Sequence, residues 1–384
     1  MNVSGKGQSS GKKTGRRRGA IRRRRDSHDN PSDIIAALDL GTNNCRLLIA
    51  SPEPGGFKVI DGFSQIVRLG EGVSLSGRLS QTAMKRTTLA LKMCAERIVN
   101  RGVRHGRYIA TEACRIAENG EEFLAQIEDE VGLRLETITS HEEAELTLTG
   151  CRPLFNLSTP YALTFDVGGG SAEILWVKLR EGRKPKILDW ISLPCGVVTM
   201  TERYGNPDIS LESYVKMVND IRTLLQPFED KHGISSAMAN KQVQMLGTAG
   251  TVTTIAGVQM GLRRYNRSLV DGSWLNFDTV FSLCAKLVKA SFEERAAYAC
   301  IGRNRAELVV AGCGVLEAIC KTWPAGRLRV ADRGVREGIL LGLSRLVIGQ
   351  PKAVKNAMGR HTEVRPKLLK PLRVHQENAA TSRR

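Results

Sequence analysis

Two stretches of the sequence combine a carboxylate with a glycine-rich turn, a combination that suits phosphate and a hard cation. They are Asp39–Asn44, which reads DLGTNN, and Asp166–Ser171, which reads DVGGGS. Turns made of glycine and small polar residues expose backbone N–H groups, which can surround a phosphate without interference from side chains. An aspartate at the end of the preceding strand offers a cation ligand or a hydrogen-bond anchor. One such turn alone is also typical of a tight hairpin, but two matching turns argue against that simpler explanation.

A third turn, Gly247–Thr251 (GTAGT), follows the apolar run Val243–Leu246 and opens a predicted helix. The N-terminus of a helix presents unpaired N–H groups to an anion, so this turn suits a further phosphate. The alternative is an ordinary helix start in which threonine is the cap. The local sequence supports both interpretations equally.

Two arginines are candidate phosphate clamps. Arg46 lies in the strand directly after the first turn, and Arg115 follows the segment TEAC. Guanidinium groups match phosphate oxygens in a bidentate manner. Each arginine could equally be a surface ion-pair partner, which is the more common role of an isolated arginine.

Two glutamates need an explanation. Glu143 and Ser140 fit the S-x-x-E capping box, in which the glutamate reaches back to the backbone of the cap. Glu142 and Glu145 are interpreted as solvated helix residues. Glu173 lies in the strand directly after the second turn, and a carboxylate close to bound phosphate requires a cation or a proton nearby. The alternative for Glu173 is an outward-facing strand residue.

The elements that carry these residues occur twice. The order strand, acidic glycine turn, strand, turn, strand spans residues 34–60 and again residues 161–193, with the two aspartates 127 positions apart. Strands alternate with helical periodicity, which predicts α/β layering. The predicted domains are 33–146 and 147–349, between basic tails at 1–32 and 350–384. Helices are predicted over 81–100, 121–131, 140–151, 211–228 and 306–320.

The charge is concentrated in the predicted tails. The chain has 384 residues and a formal net charge of +18. Residues 1–25 contain ten Lys and Arg and no acid. The body is about neutral, which disfavours a dedicated nucleic-acid reader. Both tails have too few apolar residues to fold alone, so we expect them to be disordered, either as solvated arms or as arms that gather polyanions.

Other broad classes are disfavoured. No apolar run reaches the length of about 18 residues that a membrane helix needs, and the first residues lack the apolar segment of a secretory signal. A cytoplasmic protein is therefore expected. The nine cysteines contain no CxxC pair and lie mostly in apolar runs, so we expect reduced thiols in the core.

Six motifs in sequence order resemble the exopolyphosphatase/guanosine pentaphosphate phosphatase (Ppx/GppA) family, in its short two-domain form. The resemblance runs from about residue 34 to residue 346. It implies two ribonuclease-H-like α/β domains of the actin/sugar-kinase/heat-shock chaperone superfamily on either side of a cleft. The motifs are DLGTNNCR (Asp39–Arg46), TEACR (Thr111–Arg115), SHEEAE (Ser140–Glu145), DVGGGSAE (Asp166–Glu173), GTAGT (Gly247–Thr251) and DRGVREGIL (Asp332–Leu340).

The resemblance implies a hydrolase that uses Mg²⁺. The catalytic residues that it indicates are Glu143 and Glu173, with Asp166 and Glu173 as metal ligands. Two departures from the usual family pattern are Asn44, where a hydroxyl is common, and His141, where glycine is common. The predicted phosphate-binding residues are Asp39, Gly41, Thr42, Asn43, Asn44, Arg46, Arg115, Gly168, Gly169, Gly170, Ser171, Gly247, Thr248, Gly250 and Thr251.

The predicted reaction is hydrolysis of the terminal phosphoanhydride of inorganic polyphosphate, with release of orthophosphate. Alternatives are a guanosine pentaphosphate (pppGpp) phosphohydrolase, a non-hydrolytic (p)ppGpp-binding regulator, and an ATP-dependent kinase of the same superfamily. A homodimer is a candidate assembly.

Overall fold

The computed structural model describes residues 33–205 and 208–349, which form two β-sheets with helices around them. The predicted tails, residues 1–32 and 350–384, lie outside the described residues. The strands are β1 (Ile35–Leu40), β2 (Asn44–Glu53), β3 (Gly56–Ile66), β4 (His105–Ala110), β5 (Glu136–Thr137), β6 (Tyr161–Val167), β7 (Ala172–Lys178), β8 (Lys186–Leu193), β9 (Val243–Thr248), β10 (Trp274–Asn276) and β11 (Arg327–Ala331). The helices are α1 (Val73–Ser76), α2 (Gln81–Asn100), α3 (Glu112–Ile116), α4 (Gly120–Val131), α5 (Ser140–Cys151), α6 (Val197–Tyr204), α7 (Leu211–His232), α8 (Ile234–Ala239), α9 (Ala249–Gln259), α10 (Arg267–Val270), α11 (Phe277–Lys289), α12 (Phe292–Ala297), α13 (Arg303–Ala306), α14 (Val309–Thr322) and α15 (Val335–Gly349).

The two sheets share one topology. The first has the strand order β3-β2-β1-β4-β5, and the second has the order β8-β7-β6-β9-β11 with β10 added at its edge. In each sheet the first three strands form an antiparallel meander, and the first strand also pairs in parallel with a strand that follows a helix. The α/β class and the repeated hairpin that the sequence predicts are therefore confirmed.

The cross-strand register places equivalent residues at equivalent points. Asp39 pairs with Arg46 in the first hairpin, and Asp166 pairs with Glu173 in the second. Each turn is closed by a backbone hydrogen bond of 2.9 Å, from Gly41 to residue 44 and from Gly168 to residue 171. The strands before the turns are almost continuously apolar because both of their faces are covered.

Two helices, α5 and α15, lie between the sheets, and each packs on the sheet that it does not directly follow in the chain. Helix α5 follows the first sheet in the chain but packs on the second, where Leu148 contacts the core around Leu175. Helix α15 follows the second sheet but packs on the first, where Ile339 joins the core around Ala37. The two helices cross at glycines, and a Cβ on Gly338 would lie 2.0 Å from the carbonyl oxygen of residue 146. The boundary between residues 146 and 147 stays a prediction.

The predicted helices over 81–100 and 140–151 are confirmed with the same bounds. The helix predicted over 211–228 continues to residue 232 and ends at Gly233, which has a positive φ of 57°. The helix predicted over 306–320 is α14, which begins three residues later, at Val309, and continues to Thr322, while Ala306 is the last residue of the short helix α13. All nine cysteines are free and buried, as expected. Within the described ranges, no helix has the length and apolar character needed to span a membrane.

Candidate active site

The two glycine-rich turns meet each other. A Cβ on Gly169 would lie 3.0 Å from Cβ of Thr42 and 3.2 Å from the backbone nitrogen of Asn43. A Cβ on Gly170 would lie 3.0 Å from Cγ of Glu112 and 3.1 Å from Oγ1 of Thr42. The absence of side chains at these glycines therefore allows the turns of the two sheets to come into contact.

The backbone of both turns is arranged to leave N–H groups available. The carbonyl of Thr42 accepts a hydrogen bond from the backbone of residue 70, and that of Asn43 accepts two, from residues 67 and 68. The carbonyls of Gly168, Gly169 and residue 170 accept from the first N–H groups of α6. Among the described residues, the N–H groups of residues 42, 43, 169 and 170 have no hydrogen-bond acceptor. These four donors suit a phosphate oxygen.

A cavity of about 160 Å³ lies at the meeting point of the turns. Its lining comes from both sheets and from the first turns of α5, α9 and α15. Most of the predicted site residues lie there, whereas Arg115 and Gly247 do not. The predicted residues in the lining are Asp39, Gly41, Thr42, Asn43, Asn44, Arg46, Glu143, Asp166, Gly168, Gly169, Gly170, Ser171, Glu173, Thr248, Gly250 and Thr251.

Arg46 reaches from the first sheet to the second. Its Nη2 would lie 3.9 Å from a Cβ on Gly250, at the start of α9. No carboxylate among the described residues forms an ion pair with it, although Asp39 is its cross-strand neighbour. Burial raises the pKa of Asp39, and the charges of Arg46 and Arg336 oppose that rise. The guanidinium of Arg46 therefore remains available to an anion in the cavity.

Two carboxylates, Asp166 and Glu173, lie side by side on the second hairpin. Glu173 is 4% exposed, so it is not the outward-facing strand residue that the sequence left open. Its Oε1 accepts hydrogen bonds from the hydroxyls of Ser171 (2.5 Å) and Ser192 (3.0 Å). Burial raises the pKa of Glu173, and these hydrogen bonds oppose the rise. Burial, followed by the charge of Glu173, raises the pKa of Asp166 to about 7.

Glu143 faces the cavity from the first turn of α5. The predicted capping box is wrong, because the cap is Thr139, whose hydroxyl accepts from the backbone of Glu142 at 3.1 Å. The side chain of Glu142 instead accepts a hydrogen bond from Arg107. Glu143 is thus free to line the cavity, with its side chain 20% exposed. Burial raises its pKa well above the usual range, and the charges of nearby carboxylates, Glu173 first, add to the rise.

Arg115 lies behind the cavity wall and already has partners. Its Nη1 donates to the carbonyl of Ile138 at 2.7 Å and lies 3.5 Å from Oε2 of Glu143. Its Nη2 is paired with Glu112. The structure therefore places Arg115 beneath two glutamates of the cavity wall, where its charge opposes the rise in the pKa of Glu143.

The third turn begins α9, as predicted, but threonine does not cap the helix. The hydroxyl of Thr248 donates to the carbonyl of Arg333 at 2.6 Å and makes no capping hydrogen bond. Gly247 lies beneath Phe165, where a Cβ would be 2.5 Å from the ring, so this glycine serves packing. Gly250 and Thr251 remain in the cavity lining.

Sequence reasoning missed several residues of the lining. Arg336 and Glu337 belong to the motif DRGVREGIL, so the motif itself indicates that they lie near the site. Arg336 has no ion pair with the described residues, whereas Glu337 is paired with Arg267 at 2.6 Å. Arg305, which donates to Thr254 at 3.2 Å, belongs to no motif. Further lining residues that were not assigned a role are Thr111, Glu112, Asp332 and Arg333.

The donor set fits a hard divalent cation. Seven carboxylates but only four guanidiniums line the cavity, so a polyanion entering it needs added positive charge. Oδ1 of Asn43 is buried and has no hydrogen-bond partner among the described residues. No group of three His, Cys, Asp or Glu side chains within the described ranges forms a preformed metal site. Mg²⁺ usually takes only one or two carboxylates and completes its shell with water and substrate phosphates, which agrees with this arrangement.

Comparison with known proteins identifies the family. The profile of the Ppx/GppA phosphatase family matches residues 48–346, well over half of the chain. This chain belongs to the Ppx/GppA phosphatase family. Its sequence is 30% identical over 325 residues to exopolyphosphatase 2 of Mycobacterium tuberculosis, covering 81% of this chain and 98% of that protein.

Solved structures of the Ppx/GppA family are also similar. An exopolyphosphatase-like protein has a TM-score of 0.74 and 28% identity, with 82% of this chain and 98% of that chain covered. The PPX-GPPA enzyme of Aquifex aeolicus has a TM-score of 0.65 and 28% identity, with 80% and 99% covered. The resemblance expected from the six motifs is confirmed.

Proposed function

We propose that this Ppx/GppA phosphatase is an exopolyphosphatase that hydrolyses the terminal phosphoanhydride of inorganic polyphosphate and releases orthophosphate. The observation that carries this proposal is the contact between the two glycine turns, whose free N–H groups share one cavity with Glu143. Membership of a phosphatase family and the similarity to an exopolyphosphatase support the same reaction. We further assign both sheets to the ribonuclease-H-like fold of the actin superfamily, which their common topology supports.

The terminal phosphates would bind between the turns. The N–H groups of residues 42, 43, 169 and 170 would donate to phosphate oxygens, and Arg46 and Arg336 would supply positive charge. These two arginines are suited to this role because neither has a carboxylate partner among the described residues. Arg115 is already paired with Glu112 and donates to the carbonyl of Ile138, so we assign it to holding Glu143 rather than to phosphate.

Glu143 would act as the general base. Its carboxylate accepts a proton from a water molecule as the water oxygen forms a bond to the terminal phosphorus. The bond between that phosphorus and the bridging oxygen breaks, and the electron pair remains on the shortened chain. Arginines and backbone N–H groups stabilise the charge that develops on both sides of the phosphorus. Orthophosphate and a chain shorter by one phosphate leave.

Asp166 and Glu173 are the residues that we expect to hold Mg²⁺, and Asn43, whose side-chain oxygen is buried without a partner among the described residues, lines the same cavity. The cation would neutralise phosphate oxygens and so favour attack on the phosphorus. Glu173 would be kept in one orientation by the hydroxyls of Ser171 and Ser192.

The test is to measure orthophosphate release from polyphosphate, pppGpp and ATP in parallel. Polyphosphate is expected to be the best substrate; preferential release from pppGpp would identify the alternative phosphohydrolase, and binding without release would identify a regulator. Glu143→Gln is expected to lower kcat by roughly 10²–10⁴ while phosphate binding persists. Glu145→Gln is the matched control, because Glu145 lies in the same helix with its side chain 61% exposed. Equal turnover in the two variants would refute the role of Glu143.

A further inference from the structure

Glu112 lines the cavity, although the proposed reaction gives its carboxylate no task. It is the first residue of α3, and its side chain is 23% exposed. The stem of this side chain fits against the second glycine turn, because a Cβ on Gly170 would lie 3.0 Å from Cγ and 3.6 Å from Cβ of Glu112. Glu112 therefore follows the first sheet in the chain but is held in place by the turn of the other sheet.

The carboxylate of Glu112 holds one arm of a guanidinium. Nη2 of Arg115 is paired with Oε2 of Glu112, and Nη1 of the same arginine donates to the carbonyl of Ile138 at 2.7 Å. Nη1 also lies 3.5 Å from Oε2 of Glu143, which is beyond the usual length of a hydrogen bond. The two terminal nitrogens of Arg115 thus face different glutamates, and the closer contact is with Glu112.

This division of the guanidinium decides how strongly Arg115 can bind Glu143. Arginine and a carboxylate readily form two parallel hydrogen bonds, which occupy both carboxylate oxygens. Such a pair would direct the carboxylate of Glu143 at Arg115 instead of into the cavity. Because Glu112 occupies Nη2, Arg115 meets Glu143 through Nη1 alone. One contact orients the general base, whereas two would turn it away from the substrate.

We propose that Glu112 is a positioning residue that keeps Arg115 from forming a bidentate pair with Glu143, so that the carboxylate of Glu143 stays directed into the cavity. The inference rests on the proposed function and deepens it, because it gives a reason for an acidic side chain in a cavity that must admit a polyanion. On charge alone, Glu112 would only repel phosphate and weaken substrate binding. The two roles therefore predict opposite kinetic effects.

The experiment compares Glu112→Gln with Glu118→Gln in steady-state orthophosphate release. Both variants lose one negative charge, but Glu118 is paired with Arg78, its side chain is 69% exposed, and it does not line the cavity. Glu112→Gln is expected to lower kcat by roughly tenfold to a hundredfold, because the released guanidinium of Arg115 displaces Glu143. Its KM is expected to stay unchanged or to fall, and Glu118→Gln is expected to match the wild type.

A double variant tests whether Glu112 acts through Arg115. When Arg115 is already glutamine, no guanidinium can displace Glu143, so adding Glu112→Gln is expected to lower kcat further by no more than about twofold. Glu112→Asp keeps the charge on a side chain that is one methylene shorter. It is expected to lower kcat by a smaller factor than Glu112→Gln, and it supplies the measurement if the glutamine variant does not fold.

Two results would overturn the inference. An unchanged kcat in Glu112→Gln would leave Glu112 as a repulsive charge only, and losses that multiply in the double variant would show that it acts without Arg115. All variants are assayed on polyphosphate, pppGpp and ATP. If the wild type hydrolyses only pppGpp or ATP, the proposed function fails, and the kcat comparison on that substrate still decides the role of Glu112. If the wild type hydrolyses none of them, both proposals fail.

Discussion

A methyl group added to Gly338 would strike the helix that carries Glu143. Its Cβ would lie 2.0 Å from the carbonyl oxygen and 2.8 Å from the carbonyl carbon of Leu146, and these main-chain atoms cannot rotate away. Overpacking of this kind costs about 1–3 kcal/mol. Alanine is a better helix former than glycine by about 1 kcal/mol, which partly offsets that cost.

Gly342→Ala separates the gain in helix propensity from the cost of overpacking. Gly342 lies in the same helix, α15, and a Cβ there would meet nothing within 4 Å. This variant should therefore gain the helix propensity alone. We expect Gly338→Ala to be less stable than Gly342→Ala by about 1–3 kcal/mol, the overpacking cost itself.

Urea unfolding of the two variants measures this difference, and kcat for orthophosphate release reports on the site. Displacing α5 moves Glu143, and a shift of about 1 Å in a catalytic group can lower turnover by roughly 10². Gly342→Ala should keep the wild-type kcat. Equal stability and equal kcat in both variants would show that the two helices do not cross at this close distance.

Three further predictions concern the site and the N-terminal segment. Arg115→Gln should lower kcat with little change in KM. Because the charge of Arg115 opposes the rise in the pKa of Glu143, its loss should also move the acidic limb of the pH–rate profile to higher pH. A rise in KM alone would instead indicate that Arg115 is a phosphate clamp. Asp166→Asn should raise the Mg²⁺ concentration needed for half-maximal activity, and an unchanged requirement in a Mg²⁺ titration would contradict the assignment of Asp166 as a metal ligand. Deletion of residues 1–25 should weaken binding of long polyphosphate more than of short oligophosphates, with a dependence on salt; equal effects on both lengths at low salt would argue against capture by this segment.

Features determined by local sequence could be predicted well. The two turns and their strands follow from apolar runs that end in aspartate and glycine, and the helix that begins at Ser140 follows from its periodicity. The predicted N-cap of α5 is wrong by one residue. Thr139 and Ser140 can both cap a helix, and only the structure shows that the hydroxyl of Thr139 is used. That shift decides whether Glu143 bonds to the backbone or lines the cavity.

Features that depend on distant pairing could not be predicted. Arg115 lies 28 residues from Glu143, and the contact between their side chains has no local signal, whereas its pairing with Glu112 joins residues only three positions apart. Arg305 belongs to no motif, and only the tertiary structure shows that it lines the cavity and donates to Thr254. A sequence motif can therefore indicate that an arginine is near a phosphate site without showing whether its donors are still free.

The residue paired across the hairpin with the aspartate that precedes each glycine turn is basic in the first sheet and acidic in the second. These residues are Arg46 and Glu173, which lie 127 positions apart in the chain. Two halves with identical residues there would present the same charge to a ligand from both walls. The exchange of charge breaks this internal symmetry and gives the crevice an electrical polarity. The wall that carries Arg46 therefore attracts anionic groups, and the wall that carries Glu173 attracts cations, so one residue exchange at a single equivalent position gives the two halves different tasks.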